Sequence, residues 1–82
     1  MKVETNPANT NSRIVTHTAP SGRKIEVRVS VGTDLDRPGR LEPATVGWHA
    51  IGCVSPDDAD AYTDAIKHAA SVARDLDKKN GV

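Results

Sequence analysis

An α+β domain is what this sequence predicts: a three-stranded antiparallel sheet in β-β-β-α order, with one long C-terminal helix packed on one face. Three observations point there. Residues 24–31 alternate polar with branched apolar side chains, the period-two pattern of a half-buried strand. Residues 55–81 carry the start, stripe and stop signals of a single helix. Between them, "GTDLDRPGRLEPAT" reads as a loop on its two prolines, two glycines and five charges.

In chain order, residues 1–12 are polar and aperiodic, with Pro7 and three asparagines. They are expected to form a flexible tail ahead of a single domain over residues 13–80. A hairpin follows across residues 12–32. Its first strand, about residues 13–18, has two possible inner faces: Ile14 with Thr16 and Thr18, or Val15 with His17. Pro20 and Gly22 supply the turn, proline by setting φ and glycine by permitting positive φ. In the second strand Ile25, Val27, Val29 and Val31 point inward. The third strand is expected over residues 45–54, with Val46, Trp48, Ala50 and Val54 on one face and His49, Ile51 and Cys53 on the other. A strand apolar on both faces is usually covered on both.

The helix starts at Ser55, an N-cap residue followed by Pro56 at the first helical position. Asp58 stands where an S-x-x-D capping box needs it. Asp57, Asp58 and Asp60 lie where the helix dipole favours negative charge. The expected buried stripe is Ala59, Tyr62, Ile66, Ala69, Ala73 and Leu76, widened by Ala65 and Val72. Lys78 and Lys79 occupy the last turn, and Asn80-Gly81 provides the stop. A helix from residue 56 to about 78 spans roughly 34 Å, whereas strands of seven or eight residues reach only about 25 Å. Its far end, with Val72 and Leu76, is therefore expected to overhang the sheet. That surplus, together with Ile51 and Cys53 on the outer face of the third strand, predicts association: a homodimer, or docking onto another protein. A slanted helix with a fraying end is the structural alternative.

Bulk properties bound the rest. Eighty-two residues with Trp48 and Tyr62 as the only Trp, Tyr or Phe make one domain with a thin core. Eleven basic and eleven acidic residues cancel, which removes the simplest argument for a nucleic-acid or membrane partner. Charge is nonetheless uneven: residues 1–40 hold seven Lys/Arg against four Asp/Glu, and residues 41–82 hold the reverse. The lone Cys53 cannot form an internal disulfide, and no stretch resembles a signal peptide or a membrane span. A soluble, cytoplasmic protein is expected.

Residue chemistry points away from catalysis. His49 and Cys53 are four apart on one expected strand, about 13 Å by strand rise, too far for a nucleophile and its base. One cysteine and scattered histidines (His17, His49, His68) lack the ligand spacing of a zinc site. Dipole and capping account for most of the cluster Asp57, Asp58, Asp60 and Asp64. Asp34-Leu35-Asp36 starts like a calcium loop, but the remaining ligand positions are missing. No enzyme activity, metal or cofactor is expected.

Two resemblances bear on function. A three-stranded sheet followed by one helix, over about residues 13–78, resembles the arm-type DNA-binding domains of phage integrases, in which the sheet enters the major groove. That resemblance implies nucleic-acid contacts from Arg23, Lys24 and Arg28, although Glu26 interrupts the basic face. The segment from Gly47 to Leu76 is similar to the strand-then-helix end of HicB-type antitoxin domains, without their longer turn before the helix. In composition the whole chain is similar to small uncharacterised proteins of actinobacteria and their phages. The function expected is a non-catalytic protein–protein interaction module, such as a phage or accessory protein binding a host component. Its contact residues would be Leu35, Arg37, Arg40, Ile51, Cys53, Val72 and Leu76. Nucleic-acid binding through the basic hairpin is the second expectation.

Overall fold

The computed structural model describes residues 1–49 and 52–82. Among these residues four strands, β1 (Lys2–Asn6), β2 (Asn9–Thr18), β3 (Lys24–Ser30) and β4 (Thr45–Trp48), precede one helix, α1 (Pro56–Asn80). The strands form an antiparallel sheet in the order β1-β2-β3-β4, and α1 packs over β3, β2 and β4 on one face.

The fourth strand comes from the segment expected to be a flexible tail. Residues 2–6 pair with β2, Val3 opposite Val15 and Glu4 opposite Ile14. Asparagine makes this possible. The Asn6 side chain accepts the Ala8 N–H at 2.9 Å, and that of Asn9 accepts the Asn11 N–H at 3.1 Å, so both support the turn. Asn9 Nδ2 also donates to the Val31 carbonyl at 2.9 Å, while the buried Ser12 hydroxyl accepts the Val31 N–H at 3.0 Å. Two polar side chains thus satisfy the backbone where β3 ends.

The β2–β3 turn forms as its residues dictate. Gly22 N–H bonds the Ala19 carbonyl at 2.8 Å around Pro20 and Ser21, with Gly22 at φ 88°. Pairing of Val15 with Val27 and His17 with Ile25 puts Arg13, Val15 and His17 on the helix side. Val15 is fully buried there, and Ile14 faces the open side half-buried. The strict alternation of β3 places Ile25, Val27 and Val29 in the core, with Val31 just beyond the strand.

β4 is shorter than expected and ends at Trp48, which remains half exposed. Cys53 therefore lies beyond the strand, exposed to solvent, and forms no outer apolar face. Ile51 falls outside the described residues.

The helix caps as its ends require. Ser55 Oγ accepts the Asp58 N–H at 3.2 Å, and Gly81 adopts φ 71° with its N–H turned back to the last carbonyls. The capping box is only half made. The Asp58 carboxylate turns away to the β2–β3 turn, accepting Ser21 N–H at 3.2 Å and Ser21 O–H at 2.5 Å. Asp58 is 4% exposed, so a buried carboxylate clips the start of the helix to the hairpin.

The buried stripe is Ala61, Ala65, Ala69, Ala73 and Leu76, about one residue removed from the expected one over its first half. Ala59 is exposed, while Tyr62, Ile66 and Val72 flank the core. The reason is volume: the sheet presents a floor of valines, so the helix settles on its smallest side chains and carries its larger ones at the sides. The Tyr62 hydroxyl is enclosed without a hydrogen-bond partner among the described residues, a cost of about 1–3 kcal/mol that burial of the ring must offset.

The far end of the helix, expected to overhang the sheet, is covered within the chain. Twenty-five helical residues span roughly 37 Å. Beyond β3, Val31 is buried and Leu41 and Ala44 of the following loop pack on the core. The Ala44 N–H donates to Asp77 Oδ1 at 2.8 Å, next to Leu76. Leu76 is only 7% exposed, so it is no partner contact, and Val72 packs against the same core.

Candidate interaction surfaces

The loop that covers the helix end also presents the most exposed large apolar side chain among the described residues, Leu35 at 93%. Residues 32–42 are internally ordered. Glu42 N–H bonds the Gly32 carbonyl at 2.9 Å and Asp34 N–H bonds the Arg40 carbonyl at 2.8 Å, with Thr33 bridged to Leu41. Two turns follow one another across the tip. Arg37 N–H reaches the Asp34 carbonyl at 3.4 Å, and Asp34 Oδ1 accepts the Asp36 N–H at 2.9 Å. Arg40 N–H then bonds the Arg37 carbonyl at 3.0 Å around Pro38 and Gly39, with Gly39 at φ 86°. Proline followed by a positive-φ glycine is the signature of a type II turn. Leu35 sits at the corner of the first turn, with Arg37 and Arg40 exposed beside it.

Gly39 is the residue this loop depends on. A Cβ there meets no neighbouring atom, so any cost is conformational. Gly39→Ala is expected to lose about 1 kcal/mol in urea unfolding. Faster amide exchange at Asp34 and Arg40 should accompany that loss.

The open face of the sheet carries Lys2 and Glu4 from β1 and Lys24, Glu26 and Arg28 from β3. It is not a basic strip. Arg28 Nε lies 2.9 Å from Glu26 Oε1, and Lys2 Nζ lies 2.6 Å from Glu4 Oε1. The hydrogen bond and charge of Lys2 hold the Glu4 carboxyl below its ordinary range, with a smaller contribution from Lys24, and Glu4 raises Lys2 in return. Arg23 is exposed in the turn. Of the three residues expected to meet phosphates, two thus share their face with carboxylates, which cancels the field such binding needs.

Other polar groups gather without making a site. His17 borders a depression with Asp57, Asp60 and Asp64 of the helix. Among the described residues no group of three or more His, Cys, Asp or Glu is placed to hold a metal ion. No helix among them is long and apolar enough to cross a membrane. Sequence reasoning missed the β1 edge, for which the alternation Lys2-Val3-Glu4-Thr5 was the available signal. It also missed the Asp58–Ser21 clip, which nothing local announces.

Comparisons of the chain with protein-family models, curated proteins and solved structures find no match.

Proposed function

We propose that this chain is a small non-catalytic protein-interaction module whose contact element is the loop tip at Leu35, flanked by Arg37 and Arg40. The observation that carries this reading is the exposure of Leu35 on a loop already fixed by its own hydrogen bonds. An ordered loop need not be frozen on binding, so the apolar area that Leu35 buries goes into affinity. The partner is a protein, such as a host component, that offers an apolar pocket. A single leucine anchor with charged neighbours suits a compact contact. The loop's base is pinned to the core by Leu41, Ala44 and the Asp77 hydrogen bond, so the tip is held out from a rigid support.

The test compares the wild-type chain with Leu35→Asp as affinity baits in extracts of the native host. A protein retained by the wild type and lost with Leu35→Asp supports the reading. Equal retention by both, or none by either, overturns it. Leu35→Asp should melt within about 0.5 kcal/mol of wild type, because the side chain is exposed.

A further inference from the structure

A second surface lies at the opposite edge of the sheet and stands apart from the Leu35 reading. Strand β1 forms that edge, paired with β2 on one side only, and α1 leaves it uncovered. Val3 is 40% exposed on its helix-side face, and the Lys2 and Glu4 side chains are 72% and 54% exposed on the other. Exposed strand edges are templates for another strand, and proteins usually blunt them. β4 is four residues long and β1 five; β1 carries Lys2 and Glu4, charges that oppose a generic strand and admit one that sets complementary charges against them.

We propose that β1 pairs antiparallel with β1 of a second copy, Val3 opposite Val3, to make a continuous eight-stranded sheet. Charge selects this register. With Val3 on the two-fold axis, Lys2 of each copy lies opposite Glu4 of the other on the open face, giving two opposite-charge cross-strand pairs. Centring on Lys2 or Glu4 would set like charges face to face. A one-residue slip would put Val3 against Glu4. The sequence Lys2-Val3-Glu4 is therefore self-complementary in one register and frustrated in its neighbours.

The rest of the fold accommodates the second copy. A two-fold axis through the sheet places both helices on one face, each centred near its own β3. Five strand spacings separate them, about 24 Å, and helices with side chains are only about 10–12 Å across. They do not collide. Five residues of strand bury less than the roughly 800 Å² per partner of a standard stable interface, so the dimer forms at high concentration and exchanges readily.

Sedimentation equilibrium over a wide concentration range tests this. The wild-type mass should rise from 8.7 kDa toward twice that value. Glu4→Lys and Lys2→Glu should each remain at the monomer mass, because each sets two like charges against two. An equimolar mixture of the two variants should regain the dimer. Unchanged circular dichroism and melting would show that both variants still fold, and Leu35→Asp should dimerise as wild type does. A wild type that stays monomeric throughout, variants that associate as the wild type does, or a mixture that fails to recover association would each overturn the proposal.

Discussion

Ile25→Ala is expected to cost about 3–4 kcal/mol of folding stability, read as a lowered urea midpoint with an unchanged slope. Ile25 is the largest of the fully buried side chains, at 1% exposure, in a core whose other buried members are valines, alanines and Leu76. No phenylalanine is present to collapse into the gap. A chain of this length has a total stability of roughly 4–12 kcal/mol, so the loss would bring the variant close to unfolding at room temperature. Glu26→Ala, one residue along on the open face, should stay within about 0.5 kcal/mol of wild type. Comparable losses at the two positions would contradict the assigned faces of β3.

Ala69→Leu should be nearly as damaging, at about 3 kcal/mol, for the opposite reason. Ala69 has no exposed surface and lies midway along the alanine line that seats the helix on the sheet. Three added carbons there must lift the helix or force side chains off their rotamers. Ala59→Leu, by contrast, should change stability by no more than about 0.5 kcal/mol, since Ala59 is exposed. Ala69 belongs to both the expected and the observed stripe, so in thermal or urea unfolding it is Ala59→Leu that distinguishes them. A loss at Ala59 comparable to that at Ala69 would sink this packing.

That contrast shows what the sequence could reveal. Ser55-Pro56 and Asn80-Gly81 mark the helix ends because capping is local chemistry. The alternation of residues 24–31 and the Pro20–Gly22 turn are legible for the same reason. The helix face was misjudged by its width: periodicity favours the largest apolar residues, Tyr62 and Ile66, yet the side chains that meet the sheet are set by the room a valine floor leaves. β1 was missed because an edge strand beyond the helix needs only one apolar residue, Val3, and its asparagines resemble those of a tail. The surplus helix surface was expected to call for a second molecule. What covers it is loop 31–44 of the same chain, a long-range fit that no local pattern carries. Leu35, Arg37 and Arg40 were legible as surface residues of a long loop. The order within that loop was not, because it depends on hydrogen bonds between residues 32–34 and 40–42.

The neighbour-to-neighbour strand order also governs how quickly this chain reaches its native state. Each strand bonds to the one before it in sequence, so the sheet can zip up hairpin by hairpin, closing first across Pro7 and Ala8 and last across residues 31–44. Ring-closure entropy rises only logarithmically with length, so even the last step is a modest barrier. Topologies dominated by such near contacts form on the order of milliseconds. The Asp58–Ser21 bond closes the longest stretch of chain of these contacts, 37 residues, so loop-closure entropy places it late in that order.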